Sequence, residues 1–350
     1  MPPEVRPAEK PRAPDAPYRL SVALVEQACV EALVRAGTPE AHAKTQIDML
    51  LEAELRGHHS HGLRRLARVI DRIEQGVTKP AATGVHTWSG NLLHVEGGNG
   101  LGPVVALSAL EKISARAREG GVALAAIRDC NHLGMLSWYA EKVARDGLVC
   151  IGLTVSEALM HPYGGREGMI GTNPICIGVP AQPAPFVLDM ATSVVSMGKI
   201  HDYADRGQAL EAGWALDAAG EPTIDAAAGK AGTVAPFGGA KGYALGLAFE
   251  VLVTSLTGAA IGRDVVGTLT PDTPCNKGDV FIVAQPATGA GASISRYLEA
   301  VRHSRPVDPA RPVRIPGDRA MTGQTARAAG ALEVPAKIWE RISQRAGRSA

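Results

Sequence analysis

The chain is poor in the features that mark several protein classes. Its five cysteines, Cys29, Cys130, Cys150, Cys176 and Cys275, are odd in number, scattered, and form no CxxC pair. That disfavours a disulfide framework and a thiolate zinc site, and a reducing cytosol is the expected compartment. No apolar run reaches the ~20 residues of a membrane span. The nearest, Tyr243 to Leu256, is short and carries Glu250. A net charge of +1 gives no basis for a nucleic-acid or membrane surface. The opening stretch, MPPEVRPAEKPRAPDAPYRL, has no apolar core and is not expected to act as a signal peptide. Its proline and charge predict a disordered arm, residues 1–17.

What is present is an ordinary globular composition, 45% hydrophobic and 20% charged, in 350 residues. That length can bury a large core and fits two domains. The 40 glycines imply many tight turns or close backbone approaches. From Ser21 to about Gly76 the apolar residues recur at helical spacing, with a stop at Gly37 and a restart at Thr38-Pro39-Glu40. A third helix is expected from Leu63 to Glu74, with Ser60 as its N-cap. From about Thr83 short β-rich runs alternate with helices, an α/β texture. Residues 160–240 are rich in glycine, proline and turn pairs. An apolar helix, GYALGLAFEVLVTSLTG, and a strand, DVFIVAQP, follow before a last helical region.

The densest chemistry lies in Arg56-Gly57-His58-His59-Ser60-His61-Gly62-Leu63-Arg64-Arg65-Leu66. Histidine exchanges protons near neutral pH, and arginine offers a rigid donor fork for a carboxylate. Together they suggest an enzyme acting on a small organic acid. Three histidines also suggest a metal. No second ligand cluster, HExxH or CxxC accompanies them, so no metal is expected.

Other motifs are less specific. Gly98-Asn99-Gly100-Leu101-Gly102 lies between a strand and a helix, as a dinucleotide fingerprint does. Its third glycine comes one residue early, however, and the acid that ends the next strand, Asp129, lies about 27 residues on rather than ~20. A glycine turn capping a helix is the plainer reading. Asn131-His132-Leu133-Gly134 follows a strand, where α/β proteins place ligand loops. Gly171-Thr172-Asn173-Pro174 is a turn with spare amides and hydroxyls. Asp189 lies in the apolar run FVLDMA, where a carboxylate needs a partner; a histidine would complete an acid–base dyad. Gly238-Gly239-Ala240-Lys241-Gly242 sets a lysine at a helix start, suited to a phosphate but without Walker spacing.

Taken in order, RGHHSHGLRRL, GGNGLG, RDCNHLG, IGTNPICIGVP, FVLDMATS, GKI, PFGGAKGYALGLAFEVL and IPGDRA resemble the malate/L-lactate/sulfolactate dehydrogenase family. These are the type-2, non-Rossmann NAD(P)-dependent 2-oxoacid reductases, and the resemblance runs from about Tyr18 to Gly347. It implies an α/β (α+β) fold: a non-Rossmann dinucleotide-binding domain with a mixed sheet at residues 81–292. A smaller helical domain would be built from residues 18–80 and the returning segment 293–350. It also implies a homodimer.

By that resemblance His61 is the proton donor to the substrate carbonyl, with Ser60 beside it. Arg65 would hold the substrate carboxylate, aided by Thr172, and Asp189 would orient the histidine. In some members the second histidine, here His132, is the acid/base, which leaves the two roles open. NAD or NADP contacts fall on Ser156, Thr172, Asn173, Asp189, Met190, Ala191, Thr192, Lys241, Gly242, Gly317, Asp318 and Arg319.

The reaction implied is hydride transfer between the nicotinamide and a 2-oxo or 2-hydroxy acid of malate, L-lactate or sulfolactate type. Reduction of cyclic imino carboxylates, or a ureidoglycolate-type oxidation, is the alternative on the same fold. A catalytically silent cofactor binder is the alternative of another class, and the intact Ser60, His61, Arg65 and Asp189 argue against it. Departures from the family pattern are His59, at a variable position, and Thr154-Val155-Ser156-Glu157 in place of an asparagine-serine pair. The stretch VVGTLTPDTPCNKGD resembles the malate and sulfolactate branch.

Overall fold

The computed structural model describes residues 16–318 and 330–348. The expected N-terminal arm therefore falls almost wholly outside the described residues, as does Arg319. Strand β1 (Tyr18–Ser21) leads into α1 (Val22–Arg35), α2 (Glu40–Leu55) and α3 (Leu66–Glu74). The Ser21 side chain accepts from Leu24 N at 3.2 Å and so caps α1. Next come β2 (Val85–Ser89), β3 (Leu92–Gly100), α4 (Gly102–Gly120), β4 (Val122–Cys130), α5 (Leu136–Arg145) and β5 (Val149–Thr154). A turn-rich region contains β6 (Ile175–Val179), β7 (Phe186–Met190), α6 (Met197–Asp205), β8 (Ala215–Leu216), β9 (Pro222–Thr223), α7 (Ala226–Lys230) and β10 (Thr233–Val234). The chain continues through α8 (Ala240–Thr257), β11 (Gly278–Ala284), α9 (Ala290–Arg302), β12 (Ala331–Val334) and α10 (Ala336–Ala346).

The main sheet has seven strands in the order β2-β3-β4-β11-β5-β6-β7. Only β3 and β4 pair in parallel, joined through α4; every other neighbour is antiparallel. Because β11 runs antiparallel to both β4 and β5, those two strands point the same way. By the same counting β3 and β7 share that direction. The C-terminal ends of β3, β4, β5 and β7 therefore meet at one edge, where open α/β sheets collect ligands.

Alternation along β11 assigns the two faces of the sheet. Phe281 joins the large core with Ile113 of α4 and Tyr139 of α5, and Val280 joins a second core with Val253 of α8. A small sheet, β10-β8-β9, packs with α6 and α7 around Ile200 and Trp214. The two chain ends meet as well: β1 pairs antiparallel with β12, and the Tyr18 and Trp339 rings lie 6.4 Å apart. Among the described residues no helix is long and apolar enough to cross a membrane.

Candidate active site

The turn after α2 is shaped by a buried carboxylate. Glu54 accepts from Leu63 N at 2.9 Å and bonds His59 Nδ1 at 2.5 Å. Gly62 must be glycine here, since a Cβ would fall 2.1 Å from Glu54 Oε2. The expected third helix therefore starts late. His59–His61 and Leu63–Arg65 form short 3-10 turns, and α3 begins only at Leu66. Ser60 is not its N-cap. Its hydroxyl instead shares a hydrogen bond of 3.1 Å with His61 Nδ1. The hydrogen bond to Glu54 raises the pKa of His59, so this exposed histidine serves the turn as an ion-pair partner.

His61 and His132 come together from segments far apart in sequence. Their rings stack with centroids 5.5 Å apart and planes 28° apart. His132 lies just beyond the end of β4, and its backbone passes so close to α4 that a Cβ on Gly102 would lie 2.3 Å from its carbonyl. The glycine run at residues 98–102 thus makes room for the His132 loop. His132 Nδ1 accepts from Gly134 N at 3.0 Å, which leaves the neutral ring's proton on Nε2. In His61, Nδ1 is engaged by Ser60 Oγ, so Nε2 is the ring nitrogen left for a ligand.

Both imidazoles are held neutral. Desolvation, then the Arg65 and His58 charges, depress the His61 pKa to about 3. Desolvation, Arg65, His61 and Lys277 depress His132 well below its ordinary value. Arg65 donates Nε to Ser60 O at 2.9 Å, and its charge acts on both histidines. Desolvation, helped by Arg68, lowers its pKa to about 10, a guanidinium short of a counter-anion.

Asp189 is the penultimate residue of β7, at the same sheet edge. Its Oδ2 accepts from Ser137 N, in the first turn of α5, at 2.7 Å. Among the described residues no hydrogen bond joins it to either imidazole; the orienting contact to His61 comes from Ser60. Asp189 presents an open surface to the cleft, yet desolvation by surrounding protein raises its pKa, offset in part by the Ser137 amide. The helix start supplies the partner that the apolar run called for.

Ser156, Thr172, Asn173 and Thr192 form one knot. Thr172 N donates to Ser156 Oγ at 3.0 Å, and Thr192 N donates to Thr172 O at 2.8 Å. Asn173 is fully buried with φ +33°, and its Nδ2 donates to Gly246 O at 3.0 Å. The hub of this knot is a residue that the sequence reading passed over. Glu250, 1% exposed on α8, accepts from Gly171 N at 3.1 Å, from Gly262 N at 2.8 Å and from Asn173 Nδ2. Its signal was its position as the lone acid in an apolar run. Removing it strands three buried donors, so Glu250→Ala is expected to lower unfolding free energy by about 2–4 kcal/mol. Chemical denaturation checks this; an unchanged midpoint would rule out the clamp.

The remaining expected residues are placed as follows. Met190 and Ala191 continue from Asp189 into the knot. Lys241 is exposed in the first turn of α8, and Gly242 packs so tightly that a Cβ would meet Phe237 O at 2.1 Å. Gly317 (φ +97°) abuts β7. Asp318 is occupied by Arg302 at 2.8 Å and by Ile315 N at 3.0 Å, so it closes the loop onto α9. A cavity of about 570 Å³, lined by His161, Tyr163, Val194, Gly238 and Gly239, opens beside the start of α8. That size and a helix N-terminus at Gly239 suit part of a dinucleotide.

A family model described as malate/L-lactate dehydrogenase matches residues 20–343. The chain belongs to this family. It is 33% identical over 320 residues to an L-sulfolactate dehydrogenase of Methanothermobacter thermautotrophicus, covering 89% of this chain and 92% of that one. It is 32% identical to a Δ1-pyrroline-2-carboxylate reductase of Ancylobacter novellus, covering 94% and 97%. The solved structure of a dehydrogenase from Sinorhizobium meliloti superposes with a TM-score of 0.91 at 46% identity, over 95% of this chain and 99% of that one. The fold is therefore that of the family's mixed α/β dehydrogenases, and the activity is that of a 2-hydroxyacid dehydrogenase.

Proposed function

We propose that the protein reduces a short 2-oxo acid with NADH or NADPH, with His61 as proton donor and Arg65 as carboxylate clamp. The observation that carries this reading is the stacked pair of neutral imidazoles beside an unneutralised guanidinium. The cofactor supplies the hydride. Arg65 fixes the acid so that its carbonyl faces the histidines, and orientation of this kind contributes much of an enzyme's advantage. Charge that develops on the carbonyl oxygen would be met by the Nε2 proton of His61 in its imidazolium form, formed once substrate is bound, with Nδ1–H donated to Ser60 Oγ; the ring returns to neutral imidazole. Ser60 holds that ring from behind.

Binding also prepares the proton. A carboxylate on Arg65 cancels one of the charges that depress His61, so its pKa rises when substrate arrives. Thr172, Ser156, Lys241, Asp189, Met190 and Ala191 would line the cofactor together with Gly317 and Asp318, whereas the expected contacts Asn173 and Thr192 are fully buried and would support that wall from within.

A panel of pyruvate, oxaloacetate, sulfopyruvate and cyclic imino acids, followed by the absorbance of NADH or NADPH, tests the reading. Oxidation with at least one 2-oxo acid is expected. No oxidation with any, and no cofactor binding, would overturn it. The Ancylobacter relative favours the imino-acid arm as the second reading.

We further propose a cytoplasmic homodimer and a helical unit formed by both chain ends. Helix α8 exposes Leu245 (38%) and Leu252 (42%) on one face and Leu247 (37%) and Val251 (53%) on the neighbouring one, a broad apolar surface of the kind that proteins cover. A second copy is the proposed cover. Val251→Glu is expected to yield monomers by light scattering; a wild-type monomer would refute the assignment.

A further inference from the structure

Helix α6 begins against the catalytic turn. A Cβ on Gly198, the second residue of this helix, would lie 2.8 Å from Ser60 Cβ and 3.5 Å from Ser60 Oγ. Carbon atoms in contact stand about 3.5–4.0 Å apart, so alanine at this position would need Ser60 or the helix to move by about 0.7 Å or more. Rotation of the serine side chain cannot relieve the clash, because its Cβ is fixed to the backbone. The backbone itself does not call for glycine. Gly198 lies inside the helix, outside the positive-φ region that favours glycine, and alanine is the better helix former. The glycine answers to the approach of Ser60.

The same face of α6 continues the contact. Asp202, one turn on, lies 3.8 Å from Arg64. Partial desolvation and Lys230, then the charges of Arg65 and Arg68, lower the pKa of His201. The other side of α6 is anchored. Ile200 is fully buried in the small core that it shares with Trp214, and the Lys199 ammonium lies 4.3 Å from the Trp214 ring centre. Ser196 caps the start of the helix by accepting from Lys199 N at 3.2 Å. A helix held in this way does not retreat, so an added methyl group would displace the turn.

Displacing Ser60 disturbs two groups at once. Its hydroxyl shares the 3.1 Å hydrogen bond with His61 Nδ1, and its carbonyl accepts from Arg65 Nε at 2.9 Å. The 3.1 Å contact has little slack, since a separation of about 3.6 Å no longer makes a hydrogen bond. One serine therefore fixes both the acid and the clamp.

We propose that Gly198 is a positioning residue: through it α6 bears on Ser60 and holds His61 and Arg65 in register with each other. The inference rests on the 2-oxo-acid reading above. Gly198 meets no substrate and acts through Ser60. The segment that leads into α6 begins at Asp189, Met190 and Ala191, so one stretch of chain joins the proposed cofactor wall to the acid.

Gly198→Ala is expected to lower kcat by about 10–100-fold, the scale on which a misplacement of up to 1 Å acts, and to raise KM by a smaller factor. The dissociation constant for NADH should stay near wild type. The deciding variant places Gly198→Ala on a Ser60→Gly background. Ser60→Gly has already lost the hydroxyl and the Cβ that alanine would meet, so the second substitution should cost nothing further. A merely structural role would impose the same fold-loss on both backgrounds, and that result overturns the proposal. If Gly198→Ala alone does not fold, recovery of NADH binding on adding Ser60→Gly supports the contact, and no recovery overturns it.

A readout without turnover separates this contact from the reductase reading. Isotope-labelled histidine, read by NMR and assigned with His61→Ala, reports the Nδ1 hydrogen bond of His61. A shifted Nδ1 resonance in Gly198→Ala, in a protein whose wild type reduces no 2-oxo acid, leaves the contact standing and removes the reductase. An unchanged resonance and an unchanged kcat, in a protein whose wild type turns over, remove the contact and leave the reductase.

Discussion

Replacing His61 with alanine is expected to lower kcat by about 10²–10⁴-fold, the usual worth of a positioned acid. Dissociation constants for NADH and NADPH should stay near wild type, because the ring faces the substrate side. The physical case rests on three contacts. Ser60 engages Nδ1, leaving Nε2 for the substrate oxygen. Burial, Arg65 and His58 keep the free ring neutral, with a pKa of about 3. A substrate carboxylate then offsets Arg65 and raises that pKa.

The sign of the linkage follows. Between the free and bound pKa values, binding of the anion takes up a proton, and affinity weakens as pH rises through the bound value. Oxamate titrated in buffers of different ionisation enthalpy reads this directly, and His61→Ala should abolish the uptake. Full turnover in His61→Ala with loss in His132→Ala would exchange the two roles. The stacked geometry permits the exchange, because His132 also presents Nε2–H.

Arg65→Lys should be the second large effect, expressed mainly in KM. Arg65 does two jobs with one planar group. Nε holds the Ser60 carbonyl at 2.9 Å, and the terminal nitrogens remain for a carboxylate. Lysine supplies one ammonium and cannot keep both. Loss of one charge-assisted hydrogen bond costs about 1.5–3 kcal/mol, or about 10–100-fold in KM. A smaller fall in kcat is expected, reflecting looser orientation. An unchanged KM would remove Arg65 from the carboxylate site.

Much of the architecture was readable wherever the signal is local. The first two helices announce themselves by periodicity, by Ser21 at one start and by Gly37 after one stop. Where partners lie far away in sequence, the reading strayed. The third helix begins late because Glu54, nine residues back, takes the Leu63 amide, and no periodicity reports that. The apolar run around Asp189 calls for a partner, but nothing in it points to the Ser137 amide of α5. The sheet order was also hidden, since β11 enters between β4 and β5 only after the rest of the sheet has been laid out. Glu250 shows the same limit. It looks like a polar interruption of a helix until the fold shows what it faces.

The pairing of β1 with β12, and of α1 with α10, has a consequence for the timing of synthesis. The turn that carries His61 and Arg65 rests on helices whose apolar faces are completed by Trp339 and Ile342. At about 5–20 residues per second, a ribosome delivers those side chains roughly 15–55 s after it delivers Arg65. Until then the nascent chain holds its catalytic segment on an unfinished half-core, a natural client for a chaperone. Catalytic competence arrives when the last helix docks.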